Sequence, residues 1–276
     1  MSSLRVELPP QLSEDSSHGN AGRARLGTSA LVSVGRDVAT SLKPNPTEGL
    51  LPPLFLTLTF VTGVVDATSY LSLGHVFVAN MTGNVVFLGF GIAGAGGISV
   101  WASLTALALF LVGGVVGGRV ASALGDDRDR HLRVAIGLQT VLVAGAVIVA
   151  AAAGGNFGTT ARYSLIALLA AGMGIQNAAA RKLAVPDLTT TVLTLTLTGV
   201  ASDSRLAGGS GARIGRRGLS VVSMLLGALI GGLLVLHVDD AAPLGLATAL
   251  LLLVVLALAE PVKSRLLPPS TTVAES

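Results

Sequence analysis

Eight apolar stretches make up most of this chain, and they restrict it to a helical structure inside a lipid bilayer. Most are near 20 residues long, about the length that a helix needs to cross a bilayer. Only 12% of the residues are charged, against about 25% in soluble domains. We therefore expect an all-α polytopic membrane protein. The stretches lie near 51–71, 75–94, 98–120, 134–154, 162–180, 187–201, 218–238 and 241–259.

Motifs in the first half of the chain recur in the second half, about 111 residues later. Internal repeats in an apolar chain are typical of transporter folds, whose binding sites lie between the repeats. We place repeat one near 50–154 and repeat two near 160–260. The corresponding motifs are Gly63-Val64-Val65-Asp66-Ala67 with Gly174-Ile175-Gln176-Asn177-Ala178, Met81-Thr82-Gly83-Asn84 with Leu193-Thr194-Leu195-Thr196, and residues 113–118 with residues 227–232.

Polar tails flank the apolar stretches. Residues 1–49 combine Ser, Gly, Pro and mixed charges, a composition typical of disordered segments. The tail at 261–276 is shorter and similar. We expect a membrane domain over residues 50–260 between two cytoplasmic tails.

The second and sixth stretches are unlike the others, because polar residues and glycines interrupt them. Such segments are tolerated at membrane depth when they line a polar cavity. The positive-inside rule tests this interpretation. If all eight stretches crossed, the basic loop at 119–133 and the pair Arg181-Lys182 would both lie outside. If stretches two and six instead re-enter, both groups lie inside, and only Arg162 disagrees. We expect six transmembrane helices plus two broken or re-entrant segments, so that the two repeats have inverted topology.

The residues that carry the repeat also match a family. The pattern Gly63-x-x-Asp66-Ala67-x-Ser69-Tyr70-Leu71, followed by Asn80-Met81-Thr82-Gly83-Asn84, resembles the first signature of the YoaK-like bacterial inner-membrane proteins. Gly172-Met173-Gly174-Ile175-Gln176-Asn177-Ala178, with Pro186-Asp187-Leu188-Thr189-Thr190, resembles the second. The resemblance covers roughly 50–260. It implies a multi-pass protein of the bacterial inner membrane and no particular substrate. Leu195 departs from the Thr-Gly-Thr step typical of the second repeat.

Asp66 is the first candidate for chemistry, because it is the acidic residue placed well within an apolar run. Ionisable residues inside a bilayer usually face a cavity and have a role. Asp66 is therefore a candidate proton or cation site; the alternative is a structural carboxylate satisfied near the helix end. Its counterpart Asn177, together with Gln176, offers amide donors and acceptors to a solute or to a neighbouring helix.

Two polar segments are candidate solute-binding elements. In the first, Asn80, Thr82, Gly83 and Asn84 place amide and hydroxyl groups beside a glycine that permits unusual backbone geometry. In the second, Thr191 and Thr194 belong to a threonine series. In this series threonine recurs at every second position, a spacing that would place the hydroxyls on one face only if the chain were extended there. The alternative for both segments is a polar bend sealed by other helices.

Glycine pairs spaced by four residues predict close helix packing, between repeats or between subunits of a homo-oligomer. We expect no metal or cofactor site, because cysteine is absent and His75 and His237 fall near the outer face of the membrane. The packing candidates are Gly113, Gly114, Gly117, Gly118, Gly227 and Gly231.

These features favour a secondary transporter of a small solute, with proton coupling through Asp66. A passive channel for a small polar solute and a non-transporting scaffold or sensor are the alternatives. We expect no enzyme, because the membrane segments lack a His-Glu-x-x-His motif and a pair of acids. The lipid bilayer and a small molecule or ion are the expected partners. With aromatics at only 4%, the chain has no stacking surface for nucleic acid.

Overall fold

The computed structural model describes residues 50–125, 127–155, 157–184, 193–204, 207–209 and 214–259, together with residues 35, 38 and 39. The two polar tails therefore lie almost entirely outside the described residues. Within the described ranges all regular secondary structure is helical. The expected all-α fold is confirmed.

Six long helices and two short ones form the described part of the chain. The long ones have the length and apolar composition needed to cross a membrane. Helices α2 and α6 have 12 and 10 residues, so they extend only about 18 and 15 Å at 1.5 Å per residue, well short of a bilayer core of about 30 Å. The helices are α1 (Leu51–Ser72), α2 (Met81–Ile92), α3 (Val100–Leu124), α4 (Arg128–Ala153), α5 (Thr159–Leu183), α6 (Leu193–Ser202), α7 (Ile214–His237) and α8 (Ala242–Ala259).

Local sequence signals explain where several helices begin and end. Helix α3 begins after Ser99, whose hydroxyl accepts a hydrogen bond from the Ala102 N–H at 3.2 Å. Asp127 does the same for α4, accepting from the Arg130 N–H at 2.9 Å. These capping side chains satisfy N–H groups that the first turn of a helix leaves unpaired. Helix α4 ends at Gly154, whose left-handed conformation suits glycine.

The structure decides a question that the sequence left open for the second short segment. The threonine alternation from Thr194 to Thr198 would align the hydroxyls on an extended chain, but these residues are α-helical. In a helix, residues two apart point about 200° apart around the axis, so the hydroxyls diverge. Only Thr196 of this series is buried. Its neighbours Thr194 and Thr198 are exposed.

The helix contacts have an internal correspondence. Helix α3 packs along α5, and α1 packs along α7; α4 packs on α5, and α8 packs on α1. The short helices α2 and α6 rest on α3 and α7. If α1–α4 are exchanged with α5–α8, these pairs map onto one another. The two units, which share sequence motifs, therefore also share their packing.

Glycines show the same correspondence in atomic detail. A Cβ at either of two equivalent positions would come too close to the facing helix, to its backbone at five of the six glycines and to the Ala178 Cβ at Gly117. Helices α3 and α5, and likewise α7 and α1, approach closely at these sites. Gly118 lies outside this packing among the described residues, since its side-chain direction is open, and Gly114 contributes only its backbone. The equivalent contacts are Gly113 with Ala171 and Gly227 with Phe60, Gly117 with Ile175 and Gly231 with Val64, and Gly174 with Phe110 and Gly63 with Met224.

The two short helices lie at opposite ends of the bundle. Helix α2 connects α1 to α3 at one end, where the Ser99 and Tyr163 hydroxyls are 3.5 Å apart and Ser72 donates to Asp240. Helix α6 connects α5 to α7 at the other end, where Arg128 Nη2 donates to the Leu183 carbonyl at 2.7 Å. We refer to these as the α2 end and the α6 end.

Candidate functional site

Asp66 is buried on α1 and faces the loop that leads into α2. Only 5% of its surface is exposed. Its Oδ1 atom accepts hydrogen bonds from the N–H groups of Val78 and Ala79, at 3.0 and 2.8 Å. Its Oδ2 atom is also buried and makes no close hydrogen bond to a described residue, although the Asn80 backbone N–H lies near the carboxyl group. Asp66 therefore anchors the loop mainly through one oxygen.

Asn84 anchors the same loop from α2. The side chain is fully buried. The Phe77 N–H donates to Asn84 Oδ1 at 2.9 Å, and Asn84 Nδ2 donates to the Phe77 carbonyl at 2.6 Å. This pair of bonds occupies both ends of the amide. Asn84 therefore holds the backbone of the loop in place, as the structural alternative for this segment anticipated.

The other residues of that segment have different surroundings. Gly83 is helical and outside the positive-φ region. A Cβ there would stand 2.7 Å from a carbon of the Phe77 ring, so the glycine makes room for that ring. Phe77 in turn stacks between Tyr70 and Phe87, with ring centres 5.1 and 5.7 Å apart. The remaining candidates, Asn80 and Thr82, are exposed at the start of α2.

Gln176 lies in a buried chain of hydrogen bonds that joins three helices. Its Oε1 accepts from Gln139 Nε2 on α4 at 2.7 Å, and its Nε2 donates to Thr62 Oγ1 on α1 at 3.0 Å. Thr62 then donates to the Leu58 carbonyl of its own helix at 2.9 Å. All three polar side chains are fully buried. We call Thr62, Gln139 and Gln176 the central polar chain.

Sequence reasoning missed two members of the central polar chain. Gln139 is the side-chain amide of an otherwise apolar stretch, and that was an available signal. Thr62 carried none, because a threonine in a membrane helix usually bonds back to its own carbonyl. Thr62 does so here as well, and its oxygen still accepts from Gln176.

The second unit places its predicted residues differently. Asn177 is half-buried, and its Nδ2 donates to the Met173 carbonyl at 2.8 Å. Thr191 lies outside the described residues, and Thr194 is exposed on α6. The buried polar residue of α6 is Thr196, the counterpart of Asn84.

An ion pair connects the end of α6 to α7. Arg217 Nη1 donates to Asp203 Oδ2 at 2.5 Å. A Cβ on Gly199 would stand 2.7 Å from the same nitrogen, so this glycine leaves space for the guanidinium group. The arginine lowers the pKa of Asp203 below its ordinary value, and a hydrogen bond from Ser202 adds to the effect. The Asp203 side chain is about half exposed, at 49%.

The structure thus gathers the predicted residues into two groups. Asp66 and Asn84 hold the loop at the α2 end, and Gln176 joins the central polar chain. The groups share α1, because Asp66 follows Thr62 by four residues and lies on the same helix face. Within the described ranges no group of three His, Cys, Asp or Glu side chains is arranged to hold a metal.

Six apolar spans, two short helices and a buried polar interior define a multi-pass α-helical membrane protein. The chain belongs to the family described as "Protein of unknown function (DUF1275)", whose profile matches residues 54–257. It is 37% identical over 150 residues to the UPF0700 transmembrane protein YoaK of Bacillus subtilis (strain 168). That match covers 54% of this chain and 65% of the relative's own length. No solved structure matches the chain. The resemblance to YoaK-like proteins is confirmed.

Proposed function

We propose that this protein is a secondary transporter of a small polar solute, built from two units of inverted topology. The observation that carries the proposal is the exchange relation between the units. Their helix contacts map onto one another, and their short helices lie at opposite ends of the bundle. Two such units are related by an axis in the membrane plane, an arrangement that recurs in carriers working by alternating access.

The charges give the orientation. Arg119, Arg128 and Lys182 belong to the α6 end, whereas Asp239 and Asp240 belong to the α2 end. Basic residues are concentrated in cytoplasmic loops. The α6 end is therefore cytoplasmic in this proposal, and both chain termini are cytoplasmic as well. The family resemblance assigns the membrane to the bacterial inner membrane.

A carrier fits the interior better than a permanently open pore. Gln139 and Gln176 are fully buried near the middle of the bundle, so water does not reach them in this conformation. A channel conducts through a continuous polar route, whereas a carrier encloses its site and opens it to one side at a time. The α1–α2 connection would form the gate at the α2 end.

Asp66 would couple proton movement to the gate at the α2 end. As a carboxylate it accepts charge-assisted bonds from Val78 and Ala79, which are about twice as strong as neutral ones. Protonation would remove the charge and weaken the hold of α1 on this loop. A proton arriving at Asp66 would thereby favour opening of the α2 end.

The test is solute-driven proton flux in proteoliposomes that contain a pH-sensitive dye. Amino acids, polyols, amines and sugars are added in turn, and the internal pH is followed. At least one solute should acidify or alkalinise the lumen. Asp66→Asn should reduce that coupled flux by about tenfold or more, because an amide does not take up and release the proton. A factor of ten corresponds to about 1.4 kcal/mol. Asp239→Asn, which neutralises an exposed acid, is the matched control and should leave it within about twofold. Equal flux in Asp66→Asn and wild type would remove the coupling role.

Inverted topology has its own test, which needs no substrate. The chain lacks cysteine, so Gly96→Cys after α2 and Ser202→Cys at the end of α6 each give a single label site. Both positions are exposed in the described structure. An impermeant thiol reagent applied to intact cells should label the cysteine at 96 and spare the one at 202. Labelling of both from the same side would refute the inverted arrangement and, with it, alternating access.

A further inference from the structure

The central polar chain is placed where a carrier would hold its solute. Thr62 is the twelfth of 22 residues in α1, and Gln139 is the twelfth of 26 in α4. Both therefore lie near half the height of their helices. Gln176 on α5 bridges them, so helices of both units meet at this point.

The other side of the pseudo-two-fold axis is apolar. The repeat relates Gln176 to Val65 and Thr62 to Met173, and both counterparts are fully buried. Helix α8, which corresponds to α4, buries Ala247, Leu251 and Val254 instead of a glutamine. The contact between α1, α4 and α5 thus carries buried amides, whereas the equivalent contact between α5, α8 and α1 carries apolar side chains. Helix packing does not require the amides, and placing them there costs desolvation.

One atom of the central polar chain has no hydrogen-bond partner among the described residues. Gln139 Nε2 donates to Gln176 and lies 3.5 Å from Met173 Sδ, whereas Gln139 Oε1 is buried and receives no hydrogen bond from any described residue. This unused group is an acceptor, so a ligand that satisfies it must bring a hydrogen-bond donor.

We infer that Thr62, Gln139 and Gln176 form the solute-binding site, and that the solute is a small molecule with an N–H or O–H donor directed at Gln139 Oε1. The inference rests on the proposed transport function for the route by which a solute reaches this enclosed point. It assigns the site to the centre of the bundle, away from the exposed residues Asn80, Thr82 and Thr194.

Binding is tested on the purified full chain in lipid nanodiscs by following Tm with three probes. Methylammonium is a cation with three N–H donors, glycerol is a neutral O–H donor, and tetramethylammonium is a cation without donors. Methylammonium or glycerol should raise Tm in a saturable manner. Tetramethylammonium should bind about 100-fold more weakly or worse, because a site built for hydrogen bonding rejects an analogue without the donor. A response to methylammonium alone marks a cationic solute, and a response to glycerol as well marks a general donor site. Equal shifts with all three probes, or none with any, would overturn the inference.

Two variants separate binding from folding. Thr62→Met/Gln139→Leu/Gln176→Val copies the apolar junction of the other half, so it should fold while losing the response to methylammonium and glycerol. Gln139→Glu keeps an acceptor for the solute but removes the donor to Gln176, so the Gln176 amide must turn to donate to the new carboxylate, with the Thr62 hydroxyl donating to the Gln176 oxygen. In that arrangement the variant should retain the response, with a stronger preference for methylammonium. An unchanged response in the triple variant would show that the probes bind elsewhere, and that result sinks the proposed site.

Proteoliposome flux distinguishes this inference from the transport proposal. Probe binding that depends on Gln139, without flux of any solute, would keep the site and reject the transporter. Solute flux that persists undiminished in the triple variant would keep the transporter and reject the site.

Discussion

The two units of this protein share their packing and differ in their buried polar groups. Gly113 and Gly227 bring equivalent helices together, as do Gly117 and Gly231. Yet the position equivalent to Asp66 is occupied by Asn177, and the position equivalent to Gln176 is occupied by Val65. Packing that recurs in both units belongs to the fold itself. Burying polar groups in one unit alone costs desolvation free energy that the shared packing does not require. These groups are therefore the best candidates for function.

The ends of the bundle differ in the same way. At the α2 end, buried bonds from Asp66 and Asn84 fix the loop before α2, and a stack of three aromatic rings covers it. At the α6 end, a partly exposed ion pair between Asp203 and Arg217 joins α6 to α7. Exposed ion pairs contribute little and are screened by salt. From the contacts of the described residues, we expect the α6 end to open more readily than the α2 end.

The largest expected effect tests the shared packing. Gly113→Ala and Gly227→Ala each place a methyl group against the backbone of the facing helix. Overpacking of this kind costs about 1–3 kcal/mol, and backbone atoms give way less easily than side chains. Both variants should lose similar stability, measured as the free energy of unfolding in mixed micelles.

The neighbouring glycine supplies the control for that comparison. Gly114→Ala adds the same methyl group in a direction with no atom of the described chain within 4 Å. It should be neutral or stabilising by up to about 1 kcal/mol, the helix-propensity gain of alanine over glycine. Unequal losses in Gly113→Ala and Gly227→Ala would break the equivalence of the two units.

A smaller effect tests the difference between the short helices. Asn84→Ala removes both bonds to the Phe77 backbone and leaves a donor and an acceptor unpaired, at a cost of about 2 kcal/mol. Thr82→Ala, on the exposed side of the same helix, should change stability by less than about 0.5 kcal/mol. Thr196→Val at the counterpart position should cost less than Asn84→Ala. If the two buried substitutions are equally costly, the α2 end is no more firmly held than the α6 end.

The smallest effect concerns the ion pair at the α6 end. Arg217 lowers the pKa of Asp203 in the folded protein. A depressed carboxyl pKa stabilises the fold above the unfolded value of about 3.9, and this contribution is lost as the pH falls through the folded pKa. The difference in Tm between wild type and Asp203→Asn should therefore be present at pH 7 and shrink below about pH 4.

Salt provides the check on that prediction. Raising ionic strength at pH 7 should reduce the same difference, because the pair is partly exposed. Arg217→Gln should remove most of the pH dependence that Asp203 contributes and leave the smaller part due to Ser202. A difference between wild type and Asp203→Asn that persists unchanged at low pH would show that Asp203 acts through something other than its charge.

Much of the fold could be predicted from the sequence, because membrane helices are set by local composition. The six long helices follow apolar stretches about as long as a bilayer is thick. The two short helices follow the stretches that glycine and polar residues interrupt. Glycines at spacing four predicted the close helix approaches. They did not distinguish Gly117, which faces α5, from Gly118, which faces open space. The spacing alone does not show which face of a helix meets its neighbour.

The candidate site was predicted less completely. Asp66 and Gln176 stood out, since polar groups inside a bilayer are costly wherever they lie. Asn84 was recognised as a polar residue, but its two bonds to Phe77 depend on how the loop folds back onto α2. The sequence left open whether the threonines at every second position share a face, because they do so only in an extended chain, and the structure makes this segment helical.

The sequence by itself determined the membrane class and the number of long spans, and its recurring motifs predicted two related units. Each of these depends on hydrophobic length, charge bias or repetition along the chain. The tertiary structure decided which polar groups meet. Thr62, Gln139 and Gln176 lie on three helices up to 114 residues apart, and their bonds form only where those helices cross. Which buried oxygens remain unpaired is likewise a property of that crossing, because hydrogen bonding depends on distances between helices that no local pattern encodes.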